Sequence, residues 1–229
     1  MALLQLRFLK GRRTTVSNEW SSGGGRWTED LSYDRTMSET SSPMVARYVT
    51  EILSPAILVS VLLILQPFLT PGVTWPQALV AFIFVTGLPF AVLLWMKHRG
   101  RVTDHHVSIR QQRAPVMIMA GISLAIGSVL LLALDAPAGL FSEVGAIFLG
   151  LIVCLLANLV WKLSVHSAVA TYVALVLLTP VVHVGAVLAL MLAATVGWSR
   201  IELKDHTPAQ VLAGQFVGCA VYAVALFLP

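Results

Sequence analysis

GWSRIELKDHTPAQVLAG, residues 197–214, packs Arg200, Glu202, Lys204, Asp205 and His206 into seven positions. Apolar runs flank it, Val181–Trp198 before and Pro208–Leu228 after. Each approaches the roughly 20 apolar residues that carry an α-helix across a bilayer. The cluster therefore reads as a wet turn joining two membrane spans. The rest of the chain agrees. Of its 229 residues 57% are hydrophobic and 11% charged, whereas a soluble domain carries about 25% charged residues. Such a chain cannot cover itself with water-loving groups, which excludes an ordinary soluble domain.

Outward from this turn, five more apolar stretches read as spans: Val45–Leu69, Pro76–Met96, Ala114–Leu134, Leu140–Trp161 and Ser164–Thr179. The last is short and meets Val181–Trp198 at Thr179-Pro180, where proline stops a helix and favours a reversal. Read as a hairpin, the pair makes two spans; read as one interrupted helix, it makes one. The expected fold is an all-α, polytopic transmembrane bundle of six to seven spans over residues 45–229. Residues 1–44 hold Gly, Ser, Thr and mixed charge with little to bury, and are expected to form a disordered basic tail. Cys154 and Cys219 fall inside apolar spans and read as small core residues.

With seven spans, the tail, the Lys97–Arg113 loop, the Trp161–His166 junction and the Trp198–Thr207 loop share one face. All 15 Lys and Arg residues lie in those segments or at their edges, and none on the opposite face. By the positive-inside rule the charged face is cytoplasmic.

Ionisable residues at a membrane edge are costly, so their default reading is functional. Three charged segments come to this one face: Asp104–Pro115, Trp161–Ala168 and the opening stretch. They supply Arg110, Arg113, Lys162, Arg200 and Lys204, four histidines (His105, His106, His166, His206), and the hydroxyls of Ser164 and Ser199. Arginine forks match phosphate oxygens, and histidine can serve as nucleophile or general acid near neutral pH. Carboxylates are few and scattered, so a magnesium site is poorly supplied. Thr207-Pro208-Ala209-Gln210 fits a capping box, which sets His206 just ahead of a helix N-terminus that favours an anion. Glu202, Lys204 and Asp205 read as solvated charges of the loop. Gln210 has two readings open: the capping glutamine, or the residue that orients His206 from four positions along the helix.

These three segments resemble the motifs of the type-2 phosphatidic acid phosphatases, a superfamily that includes bacterial acid phosphatases and vanadium haloperoxidases. The family pattern is KxxxxxxRP, then PSGH, then SRxxxxxHxxxD. The third is met by Ser199-Arg200, His206 and Gln210; the second in part by Ser164-Val165-His166; the first by Arg113 at the right spacing from His106, with Ala114 for proline. The resemblance covers about residues 97–214. It implies that His206 attacks phosphorus to form a phosphohistidine and that His166 protonates the leaving oxygen. Arg113 and Arg200 would hold the phosphoryl oxygens. Ser164, Ser199, His106, Arg110 and Gln210 would complete substrate binding, with no metal or other cofactor.

Three departures stand out: His106 for lysine, Val165 for glycine and Gln210 for aspartate. In the last, HTPAQV looks like the dolichyl-diphosphatase branch, where HTxxQV follows the SR pair and activity is kept. The implied function is a membrane lipid phosphatase acting on a lipid phosphate or diphosphate, polyprenyl diphosphates favoured and phosphatidic acid-type lipids open. The alternative is a non-catalytic lipid-phosphate binder or transporter on the same scaffold. The expected partners are that lipid and the surrounding membrane lipids, with no nucleic acid. Oligomeric state is not legible.

Overall fold

The computed structural model describes residues 43–101, 110–180 and 184–228, the side chains of 110–113 excepted. Among them every regular element is helical. The expected tail lies outside the described residues up to position 42, and residues 43 and 44 already belong to the first helix. The elements are α1 (43–52), α2 (Pro55–Ile64), α3 (Gln66–Leu69), α4 (Trp75–Phe82), a π-helical turn (Ile83–Gly87), α5 (Leu88–His98), α6 (Arg110–Ala133), α7 (Ala138–Val160), α8 (Val165–Leu178), α9 (Gly185–Glu202) and α10 (Pro208–Ala225).

Among the described residues six helical stretches are long and apolar enough to cross a membrane: Pro43–Ile64, Trp75–His98, Ala114–Ala133, Ala138–Val160, Gly185–Glu202 and Pro208–Ala225. The first combines α1 and α2 across a break at Ser54, which is extended (φ −68°, ψ 150°) because Pro55 disfavours helix in the residue before it. Its helix ends at Ile64 rather than the expected Leu69, and α3 follows as a separate turn. The sixth expected span, Val181–Trp198, lies four residues later in the structure. Ser199 and Arg200 therefore belong to the last turn of α9 and not to a loop.

The surface of the bundle is apolar. Ile118, Ile122 and Ile126, one turn apart along α6, are all exposed, as are Val187, Leu190 and Met191 on α9. A soluble protein rarely shows contiguous apolar patches of this kind, and lipid is the solvent that suits them.

α8 is the opposite case. Its fourteen residues include nine that are buried, His166 through Ala168 and Ala170 through Leu175. It is the central helix, enclosed by α9, α10 and α2. Close approach to α10 depends on two glycines one turn apart. A Cβ on Gly214 would strike the Ser164 carbonyl oxygen, and one on Gly218 would strike the Ala168 carbonyl oxygen. This small-xxx-small spacing lets backbones meet where lipid supplies no hydrophobic drive for helix association.

Hydrogen bonds sort the helix ends into two groups. At one end Thr50 meets Ser199, Lys162 reaches the Asp205 carbonyl, and the Ser164 amide reaches the Gln210 carbonyl. At the other, Gln77 donates to the Leu134 carbonyl (2.9 Å) and the Thr179 and Tyr222 hydroxyls lie 2.7 Å apart. The helices alternate in direction between these ends. Lys162, Arg200 and Lys204 all sit at the first end, together with the N-termini of α8 and α10.

Candidate functional site

Ser164 is the N-cap of α8. Its Oγ accepts from the Ser167 amide (3.4 Å) and lies 2.9 Å from the Ser167 hydroxyl. Two residues on, His166 is buried in the first turn of the same helix. Thr207 caps α10 in the same manner, accepting from the Gln210 amide at 3.4 Å. The Ser164 amide donates to the Gln210 carbonyl at 3.3 Å, so the two helix starts are stitched side by side. Both carry the partial positive charge of a helix N-terminus, at the same end of the bundle.

His206 precedes the α10 cap and is buried. Its Nδ1 lies 3.1 Å from Gln210 Oε1, which also accepts from the Thr207 amide at 3.2 Å. The backbone N–H fixes which amide atom this is, since an NH₂ group turned toward it would set donor against donor. Oε1 can only accept, so Nδ1 is the protonated ring nitrogen, and in the neutral ring Nε2 carries the lone pair. The two readings of Gln210 are thus not alternatives: one oxygen performs both.

Arg200 is 2% exposed, the largest side chain in the core to be so fully enclosed. Its Nη2 pairs with Asp205 Oδ2 at 2.8 Å, and its Nη1 donates to Thr50 Oγ1 at 3.4 Å. Asp205 is therefore not a solvated loop charge, although 30% of its side chain is exposed. It is a counter-charge to a buried guanidinium. The turn that brings it back is tight: the Asp205 and His206 amides both donate to the Arg200 carbonyl, at 3.1 and 3.2 Å. Lys204 between them adopts a positive φ of 58° and stays exposed. Lys162 completes the fastening by donating to the Asp205 carbonyl at 2.7 Å.

Ser199 faces the first span. Its hydroxyl donates to the Val196 carbonyl at 2.7 Å, so the 3.1 Å contact with Thr50 must be donated by Thr50. Thr50 hence accepts from Arg200 and donates to Ser199, tying α1 to the last turn of α9.

Ser164, His166, Ser199, Arg200, His206 and Gln210 thus all come to one end of the bundle. His105 and His106 lie outside the described residues, as do the side chains of Arg110 and Arg113, which start α6. Two residues that the sequence reading did not pick out belong to the same cluster. Asp205 carried a signal, an acid five positions after an arginine across a turn. Thr50, 150 positions from Arg200, carried none.

Fold and cluster together define an all-helical bundle, with six helices able to span a membrane and a polar end that gathers two histidines, an enclosed arginine and two helix N-termini. No family model, curated protein or solved structure matches the chain.

Proposed function

We propose that the chain is a multi-pass membrane phosphatase that hydrolyses a lipid phosphate or diphosphate at this polar end, with polyprenyl diphosphates as the favoured class. The observation that carries the reading is the Gln210–His206 contact, which presents Nε2 of the neutral ring as a nucleophile. In this reaction Nε2 attacks phosphorus as the bond to the leaving oxygen breaks, and His166 gives that oxygen its proton. Water then attacks the phosphohistidine, yielding inorganic phosphate and the free ring, the first step having released the lipid alcohol from a monophosphate or the lipid monophosphate from a diphosphate. Arg200 and the paired helix N-termini supply positive charge where the phosphoryl oxygens gather it. Arg113 is assigned to the same task on the resemblance of its motif. The arrangement belongs on a type-2 phosphatidic acid phosphatase-like core, and the basic end is read as cytoplasmic.

A binder without turnover is the reading that the Arg200–Asp205 ion pair favours, since part of the guanidinium is already committed. One assay separates the two. Purified protein is expected to release phosphate from farnesyl diphosphate in EDTA, to be inhibited by vanadate, and to lose turnover in His206→Ala. Binding of the diphosphate without phosphate release would sink the enzymatic reading.

A further inference from the structure

Beside His166 the bundle is hollow. Two adjoining cavities, of about 660 and 230 Å³, have lining residues in common, Ala56, Phe90, Met117 and Val165 among them. His166 and Glu51 line the larger one, and Tyr172 lines the smaller. Along α8 the smaller cavity is lined from Val165 to Tyr172, roughly 10 Å of helix at 1.5 Å per residue. Along α7 it is lined from Cys154 to Ala146, roughly 12 Å by the same rise. The space therefore leads from the histidine end to the middle of the bundle.

The chemistry of its walls is hydrocarbon almost throughout. Water gains little there, because an ordered water needs two to four polar partners. The larger cavity also reaches the outside: Ile57, Val61 and Phe90 line it while exposed on the surface of the bundle, between α2 and α5. In a bilayer that opening faces acyl chains. At the deep end Tyr172 is fixed, its hydroxyl donating to Glu143 Oε1 on α7 at 2.6 Å. A ring tied in this way forms a stop.

We infer that the hollow holds the hydrocarbon chain of the lipid whose phosphate reacts at the histidine end, and that Tyr172, held by Glu143, sets how long a chain fits. This rests on the phosphatase reading and adds to it a place for the chain and a residue that measures it. The chain enters sideways between α2 and α5, and its end is stopped at Tyr172.

The test compares wild type, Tyr172→Ala, Tyr172→Phe and Gly150→Leu on geranyl, farnesyl and geranylgeranyl diphosphate. Gly150 lines the smaller cavity, and a Cβ there meets only Val221 methyls at 3.8 and 3.9 Å, so Gly150→Leu fills space without touching the polar end. It is expected to lower kcat/KM for the longest substrate relative to the shortest by about tenfold or more, the scale of one displaced methylene. Tyr172→Ala is expected to shift the ratio the other way, and Tyr172→Phe, which keeps the ring but loses its tie to Glu143, to shift it in the same direction by less. The same variants are scored in a His206→Ala background by retention of radiolabelled diphosphates, a readout that needs no turnover. If wild type releases no phosphate, the enzymatic reading falls while retention still reads the hollow. An unchanged chain-length ranking in both measurements, in variants whose thermal unfolding matches wild type, overturns the assignment. So does retention of an ordinary phospholipid that prenyl diphosphates fail to displace. Should Tyr172→Ala not fold, Gly150→Leu decides the matter alone.

Discussion

A single atom, Gln210 Oε1, stands 3.1 Å from His206 Nδ1 and 3.2 Å from the Thr207 amide, so the helix cap and the orientation of the histidine cannot be altered separately. Anything that melts the first turn of α10 also releases the ring.

Substitutions at Gln210 should therefore change two things at once. Gln210→Ala is expected to lose about 1 kcal/mol of stability with the hydrogen bond from the Thr207 amide and, on the phosphatase reading, to lower kcat as the ring loses its tautomer. Gln210→Glu keeps an acceptor for both donors and adds a negative charge that a helix N-terminus favours. A carboxylate beside the ring also stabilises the imidazolium, which cannot attack. The acid limb of the pH–rate profile should then move to higher pH. Thermal unfolding and pH–rate profiles of the two variants check this, and an unmoved limb in Gln210→Glu would place the ring elsewhere.

Removing the charge of Asp205 takes from an enclosed guanidinium the carboxylate 2.8 Å from its Nη2. Asp205→Asn is expected to destabilise the protein by about 2 kcal/mol, the scale of a lost hydrogen bond to a charged group. Arg200→Lys should fare no better, because an ammonium cannot reach Asp205 and Thr50 along two arms of a planar fork. Melting curves in detergent would show it; wild-type stability in Asp205→Asn would mean the pair contributes nothing.

The two α10 glycines are expected to be intolerant and a third glycine indifferent. Gly214→Ala drives a methyl into the Ser164 carbonyl and should cost about 1–3 kcal/mol as overpacking. It should also impair hydrolysis, because it parts the two helix starts. Gly145→Ala meets nothing within 4 Å and should be neutral or stabilising by up to about 1 kcal/mol through helix propensity. Equal behaviour of the two variants would contradict the packing described.

Orientation is open to a labelling experiment. Single cysteines replacing Arg99 and Pro71, both exposed and at opposite ends of the second span, are introduced into a chain lacking Cys154 and Cys219. With the basic end cytoplasmic, an impermeant maleimide on intact cells labels position 71 and spares 99. The reverse pattern would invert the protein.

Much of this architecture is legible from hydropathy alone, because in lipid each span must satisfy its own backbone and advertise itself as a long apolar run. The short hairpin partner, Val165–Leu178, was readable for the same reason. The break at Ser54 and the π turn at Ile83–Gly87 were less so: Pro55 announces the first, and Pro89, whose ring crowds the carbonyl four residues back, follows the second, where Ser123 on α6 donates to the Phe84 carbonyl at 2.6 Å. At the polar end, His166, Arg200 and His206 were legible from type and spacing. Asp205 was misread because pairing depends on the turn at Lys204 and not on distance along the chain. Thr50 and the hollow beside His166 were illegible, since both are made by helices far apart in sequence.

The brevity of α8 has a consequence for the membrane itself. Fourteen residues rise roughly 21 Å, against a hydrocarbon core of about 30 Å. At the histidine end Leu163 and Ser164 are enclosed by the bundle and not bathed in solvent. On the proposed phosphatase reading, a central helix this short asks the leaflet to thin around the protein or the headgroup to sink toward His166. Turnover should accordingly depend on bilayer thickness, faster in short-chain than in long-chain vesicles, and a bare phosphate should make the descent more readily than a bulky headgroup.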